Sequence, residues 1–304
     1  MTAGDGRFSG DPATVNAVET AVDTCYRHPD QPAGVVCQRC DRPICPQCMH
    51  QASVGFHCPE CVKTGKQKVY QGVGSLQTRP VLTQVLIGIN VAIFVVAAIL
   101  DGGDSLGGSR GQVHLDFGLI AKASTGTELI GVGFGEWYRL VSSGFLHYGI
   151  FHLGINMFAL WILGNSLEGY GGRLRFGVLY GLSIVGGSVG ALVLSPSALT
   201  AGASGGIYGL LGAIFMVQRA QGIPFRQSPL LGILLLNLVI TFGVPGISIG
   251  GHLGGLAAGA LTAFILFDYG PRAPDKRMAL LACGALALLL LGGGILFAET
   301  WMPT

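Results

Sequence analysis

The chain has 304 residues, of which 50% are hydrophobic and only 11% are charged. Soluble domains carry about 25% charged residues, so this composition excludes an ordinary soluble protein and predicts an all-α polytopic membrane protein. The net charge is +2 and no run of Lys and Arg occurs, which argues against nucleic acid as a partner.

Residues 1–24 are polar and predict a disordered leader, because they hold too few apolar side chains to offset the entropy of ordering. A cysteine-rich segment follows at residues 25–62. Its cysteines and one histidine form four pairs with two intervening residues each: Cys25 and His28, Cys37 and Cys40, Cys45 and Cys48, Cys58 and Cys61. This spacing lets both side chains of a pair bind one tetrahedral Zn²⁺. We therefore predict two structural zinc ions, with a disulfide framework as the alternative.

Residues 63–79 predict a polar linker, and the character of the chain changes at Pro80. A helix needs about 20 apolar residues to cross the hydrocarbon core of a bilayer. Seven segments qualify: 81–100, 150–168, 174–194, 204–217, 229–244, 249–267 and 278–298. The first six form a core at 80–268, and 269–304 supplies the seventh helix and a short tail. The amphipathic segment 101–149 predicts a lid or an interfacial element.

Positive charges mark one end of these predicted helices. They precede the first helix and lie between the second and third, the fourth and fifth, and the sixth and seventh: Lys63, Lys66, Lys68, Arg79, Arg173, Arg175, Arg219, Arg226, Arg272, Lys276 and Arg277. The loops 195–203 and 245–248 have none. By the positive-inside rule we expect a plasma-membrane protein with a cytoplasmic N-terminus and a C-terminus outside. A reducing cytoplasm disfavours disulfides, which favours zinc for the cysteine cluster.

Ser204 stands in a glycine-rich turn, Gly202-Ala203-Ser204-Gly205-Gly206, at the start of the fourth predicted helix. Small neighbours let a substrate backbone approach the hydroxyl. Unpaired amides at a helix start can also stabilise an oxyanion. The same pattern is typical of helix packing in membranes, so the motif alone leaves both interpretations open.

Three more polar residues lie near the starts of predicted helices. His252 lies beside a Gly255/Gly259 packing face, and histidine has the intrinsic pKa needed for a base that activates a serine. His152 and Asn156 are four residues apart, on one helical face, and can donate to a developing negative charge. Each can instead be a packing residue. The second, fourth and sixth helices run in the same direction, so their first turns share one membrane depth, which favours a common site.

Four ordered motifs, Glu136-Trp137-Tyr138-Arg139, His147 to Met157, Gly202 to Gly205 and His252 to Gly259, resemble those of the rhomboid intramembrane serine proteases over residues 80–268. The resemblance implies a dyad of nucleophile Ser204 and base His252, without a third acid. It implies an oxyanion hole made by His152, Asn156 and the Ser204 amide, shaped by Gly202. Tyr208 would stack on His252, Arg139 and Trp137 would brace the external loop, and Glu168 would be structural.

The implied activity is cleavage of transmembrane segments near the outer membrane face, with no cofactor for catalysis. Segment 229–244 is the expected lateral gate for substrates that arrive through the lipid bilayer. A non-catalytic rhomboid-like scaffold that binds client helices is the alternative, although such proteins usually lose the serine or the histidine.

The cysteine-rich segment resembles a B-box zinc finger, in which ligand pairs interleave. By that resemblance one ion takes Cys25, His28, Cys45 and Cys48, and the other takes Cys37, Cys40, Cys58 and Cys61. His50 or His57 can replace a neighbouring ligand. The module is also a candidate site for a protein partner.

Overall fold

The computed structural model describes residues 23–52, 55–64, 80–275 and 277–302. Two compact units divide the chain, Met1–Gln71 and Gly72–Thr304. Most of the predicted leader and linker, and Lys276, lie outside the described residues.

The described residues of the N-terminal unit form two small antiparallel sheets, a 3-10 helical turn (Pro46–Cys48) and one short α-helix. Strand β1 (Val35–Val36) pairs with β2 (Pro43–Ile44), β3 (His50–Gln51) pairs with β4 (Phe56–His57), and helix α1 (Pro59–Thr64) follows. The buried core is Ile44 together with five cysteines. A domain of about 40 residues rarely folds on an apolar core alone and usually needs disulfides, metal or oligomerisation. Its cysteines are all free thiols.

The second unit is a bundle whose seven long helices match the seven predicted segments. They are α2 (Leu82–Leu100), α5 (Gly149–Gly171), α6 (Arg173–Leu194), α7 (Ser204–Ala220), α8 (Leu231–Gly243), α9 (Ile249–Ala263) and α11 (Arg277–Thr300). A π-helical turn (Phe264–Tyr269) and a short helix α10 (Gly270–Arg272) extend α9. Among the described residues, five helices are long and apolar enough to span a membrane. Helices α7 and α8 are shorter, with 17 and 13 residues. The prediction of an all-α polytopic membrane protein is confirmed.

Glycines let α6, α7 and α9 meet backbone to backbone at the centre of the bundle. A Cβ at Gly255 would overlap the carbonyl of Gly205, and one at Gly259 would overlap Gly209. The predicted glycine face of α9 is therefore its contact with α7. Such close contact strengthens van der Waals packing where lipid supplies no hydrophobic drive between helices. It also holds the first turns of the two helices side by side.

The segment between α2 and α5 is a compact loop built around a buried arginine. It contains α3 (Gln112–Phe117), the hairpin of β5 (Ala123–Ser124) and β6 (Leu129–Ile130), and α4 (Arg139–Ser142). Arg139 is fully buried and donates to the carbonyls of Leu115 and Gly118, both at 2.7 Å. Its Nε also donates to Glu136 at 2.7 Å. Trp137 is half exposed, so Glu136 rather than Trp137 shares the bracing with Arg139.

Glu168 ties the end of α5 to the start of α2. Its carboxylate accepts the amides of Val81, Leu82 and Thr83 and the Thr83 hydroxyl, at 2.7–2.9 Å. These amides lie at the start of α2, where backbone N–H groups have no hydrogen-bond acceptor within the helix. The acid is thus a helix cap, in agreement with the structural role expected for it.

Candidate active site

A cavity of ≈ 820 Å³ lies among α5, α7, α8 and α9, and its wall includes the loop before α7. All six residues that were predicted for catalysis and its support line it: His152, Asn156, Gly202, Ser204, Tyr208 and His252. The structure therefore brings together residues from three separate sequence motifs, those at the starts of α5, α7 and α9.

Ser204 is the first residue of α7 and follows a turn that favours glycine. Gly202 has a φ of +142°, a backbone conformation that favours glycine. Its amide donates to the Ser143 carbonyl at 2.9 Å, which attaches the turn to the loop before α5. Helix packing at Gly205, the next residue along the chain, fixes the serine from the other side.

His152 and Asn156 supply hydrogen-bond donors beside Ser204. The Tyr148 amide donates to His152 Nδ1 at 3.2 Å, so a neutral ring carries its proton on Nε2. The position that a Gly202 Cβ would take is 3.0 Å from His152 Nε2 and 3.6 Å from Ser204 Oγ. Asn156 Nδ2 is buried and has no hydrogen-bond partner within the described part of the chain. Both donors are thus available to a ligand in the cavity.

His252 lies in the first turn of α9, with its ring stacked on Tyr208. The ring centroids are 3.9 Å apart and the planes differ by 15°. Its Nδ1 lies 2.7 Å from Thr241 Oγ1, which leaves Nε2 as the nitrogen free to reach Ser204. Tyr208 is one helical turn after Ser204, so the stack ties the imidazole to the helix that carries the hydroxyl.

Sequence reasoning missed Thr241, a buried residue of α8 that contacts both Tyr208 and His252. The available signal was its polarity within the otherwise apolar end of segment 229–244. A threonine commonly bonds its own helix, so that signal does not identify a partner.

Comparison with known proteins agrees with this arrangement of motifs. The Rhomboid domain family model matches residues 134–269. Rhomboid protease GluP of Bacillus subtilis is 32% identical over 229 residues, which cover 74% of this chain and 42% of GluP. RHOMBOID-like protein 4 of Arabidopsis thaliana is 29% identical over 62% of this chain and 52% of its own length.

The match to Putative rhomboid protease YdcA, also of Bacillus subtilis, shows the family of this chain. YdcA is 36% identical over 140 residues, and the match covers 70% of YdcA. The chain belongs to the rhomboid family. This rhomboid spans about half the length of the first curated relatives that it matches.

The N-terminal unit of this rhomboid lies outside the matched domain and holds two clusters of potential metal ligands. The ligand atoms of each cluster lie within 4.8 Å of one another: Cys25, His28, Cys45 and Cys48 in one, Cys37, Cys40, Cys58 and Cys61 in the other. His28 Nδ1 is 3.4 Å from Cys45 Sγ and 3.5 Å from Cys48 Sγ. Tetrahedral zinc with Zn–S bonds of about 2.3 Å separates its ligands by similar distances. The clusters can therefore hold metal ions.

The pKa values of the cysteines in these clusters favour the binding of a divalent cation. Burial opposes ionisation of Cys25, but the amides of Arg27, Cys45 and His28 lower the pKa of its thiol to about 6. Burial and the neighbouring Cys25 raise the pKa of Cys48 to about 11. A bound cation would offset the repulsion between the Cys25 and Cys48 thiolates and let both thiols ionise. His50 and His57, the alternative ligands, pair across β3 and β4 and belong to neither described cluster.

Proposed function

We propose that this rhomboid is an intramembrane serine endopeptidase that cleaves transmembrane segments of membrane proteins. The observation that supports it best is a shared cavity, whose lining includes both Ser204 and His252, with the imidazole stacked on Tyr208 one helical turn after the serine. A serine becomes nucleophilic at neutral pH only beside a base. A scaffold that only binds client helices needs neither side chain, so their presence favours the enzyme.

The chemistry follows from these positions. Ser204 Oγ attacks the scissile carbonyl while His252 Nε2 takes its proton. The negative charge on the tetrahedral intermediate accepts hydrogen bonds from His152 Nε2, Asn156 Nδ2 and the Ser204 amide. His252 then gives its proton to the departing amine, and water admitted to the cavity hydrolyses the acyl-enzyme. No step in this sequence requires a cofactor.

Substrate access is proposed to occur past α8. Only Leu234 and Thr241 are buried in this helix, whereas most of its other side chains are exposed. The cavity wall includes Ile240 and Pro245, so a displaced α8 would open the cavity to the side. A substrate helix that enters there must unwind to present its backbone, which favours small or helix-weakening residues around the cut.

We place the active site near the outer face of the plasma membrane, with the N-terminus cytoplasmic and the C-terminus outside. The supporting features are the Lys and Arg distribution and the location of the site at helix starts. Helix α7 has 17 residues, or about 26 Å of length, against a hydrocarbon core of about 30 Å. Ser204 would accordingly lie below the membrane surface.

For the N-terminal unit we propose two structural Zn²⁺ ions, one in each cluster of four ligands. Four protein ligands for each ion leave no position for a substrate, which is typical of structural sites. The unit is then available for a protein partner rather than for catalysis.

Fluorophosphonate labelling of the purified protein in lipid tests the enzyme proposal. Such probes react covalently with an activated serine, so the wild type should label and both Ser204→Ala and His252→Ala should not. Ser183→Ala is the matched control, because the Ser183 hydroxyl only bonds its own helix at Leu179, 2.7 Å away. Labelling that persists in Ser204→Ala would remove the serine from its proposed role.

Replacing Gly202 with alanine should lower kcat by about 100-fold or more, the effect of losing one oxyanion donor. The new Cβ would lie 2.9 Å from His152 Cε1, and the positive φ is unfavourable for alanine. Steady-state cleavage of a transmembrane substrate measures kcat and KM. Gly154→Ala on α5 is the control, since a Cβ there meets nothing within 4 Å. Equal kcat values for the two variants would contradict the prediction that a Cβ at Gly202 impairs the oxyanion hole.

A further inference from the structure

Thr241 lies at the centre of a group of hydrogen-bonding atoms that includes Nδ1 of His252. Its Oγ1 lies 2.7 Å from His252 Nδ1, 2.6 Å from Tyr208 Oη and 2.7 Å from the Asn237 carbonyl. Tyr208 Oη is also 2.8 Å from that carbonyl. Thr241 is 1% exposed, so water does not compete for these contacts.

The number of protons in this group decides the tautomer of His252. Four short contacts need protons between them, and the two hydroxyls supply only two. If Thr241 donated to His252 Nδ1, no proton would remain for its contact with the Asn237 carbonyl, and the tyrosine proton could serve only one of the two contacts of Tyr208. Two pairs of oxygens would then face each other without a proton, which is repulsive at distances of 2.6–2.8 Å.

With a proton on His252 Nδ1, only the contact between Tyr208 Oη and the Asn237 carbonyl lacks a proton. The imidazole then donates to Thr241 Oγ1, Tyr208 donates to the same oxygen, and Thr241 donates to Asn237. A hydroxyl has one donor and two lone pairs, so Thr241 is fully used in this arrangement. Donation to the carbonyl four residues earlier is also the usual choice for threonine within a helix.

We propose that Thr241 is a positioning residue that holds His252 as the Nδ1–H tautomer and leaves Nε2 bare to accept the Ser204 proton. The inference rests on the proposed protease function and deepens it. Thr241 would take the orienting role that a carboxylate has in a three-membered catalytic group. Because Thr241 belongs to α8, the same contact links the tautomer to the position of that helix.

Kinetics of three variants test the role of the hydroxyl. Thr241→Val should lower kcat by about 10- to 100-fold, the contribution of a hydrogen bond to a group that becomes charged, with little change in KM. Thr241→Ser restores the hydroxyl and should stay within a few-fold of wild type. Thr262→Val is the matched control, since Thr262 is equally buried on α9 and bonds only the Ala258 carbonyl, at 2.7 Å. Wild-type kcat in Thr241→Val, or an equal loss in Thr241→Ser, would overturn the proposal.

Nitrogen-15 NMR of the histidine-labelled full chain in lipid tests the tautomer directly, with His252 assigned by its loss in His252→Gln. The wild type should show a protonated Nδ1 and an unprotonated Nε2. Thr241→Val should shift this balance toward Nε2–H. A wild-type His252 protonated on Nε2 would refute the proposal even if Thr241→Val failed to fold. The NMR result does not depend on turnover, so loss of the protease assignment would be recognised separately, by a wild type that neither labels nor cleaves.

Discussion

Alanine at Ser204, at His252 or at both is expected to lower kcat by about 10⁴-fold or more, with the double variant no slower than the single ones. The nucleophile and its base act as one unit, so removing either removes the whole covalent pathway. General base catalysis contributes about 10²–10⁴-fold, and a serine without its base is a poor nucleophile, so each single variant already loses the covalent pathway. Cleavage of a transmembrane substrate in liposomes measures the effect.

Two controls distinguish a loss of catalysis from a loss of folding. Thermal unfolding of each variant reports stability, and Ser183→Ala removes a buried hydroxyl that does not line the cavity. His252→Ala also removes the stack on Tyr208, so its melting temperature must be compared with that of Ser204→Ala, which keeps the stack. Multiplicative losses in the double variant would mean that the two residues act independently, contrary to a dyad.

Removal of metal from the N-terminal unit should unfold that unit and leave the helices of the membrane unit in place. The buried residues of the N-terminal core are Ile44 and five cysteines, and the larger apolar side chains packed against them, such as Met49 and Phe56, are only partly buried. Structural zinc binds such small domains with about 10–16 kcal/mol, which is most of their folding free energy. Limited proteolysis within residues 23–64 before and after chelation measures the unfolding.

Metal content gives the stoichiometry of the same sites. Elemental analysis should find two zinc ions per chain, and Cys45→Ser or Cys58→Ser should each lower that value to about one. Cys283→Ala is the control, because this buried cysteine of α11 belongs to neither cluster. Two ions retained in both ligand variants, or a protease-resistant unit after chelation, would contradict the paired-site assignment.

Much of the fold could be predicted because its signals are local. A run of apolar residues long enough to cross a bilayer must be helical, since its backbone groups have no other partners there. The seven predicted segments accordingly match α2, α5, α6, α7, α8, α9 and α11, with ends that differ by a few residues. The shortness of α7 could also be predicted, because Gln218 and Arg219 interrupt its apolar run.

The loop between α2 and α5 shows where local signals end. Its amphipathic character indicated structure but not the fold, which depends on Arg139 reaching carbonyls more than 20 residues away. Bracing was expected from Trp137, a large aromatic residue that is half exposed instead. Which side chain turns inward depends on the course of the whole loop, and no short motif specifies that.

The sequence by itself determined a helical membrane protein, the order of the rhomboid motifs and the cysteine spacing suited to metal, since each depends on residue type and on separation along the chain. Only the tertiary structure decided that Thr241 meets His252. Their contact depends on how α8 is rotated and how closely glycines let α7 and α9 approach, and these are properties of packed helices rather than of either segment.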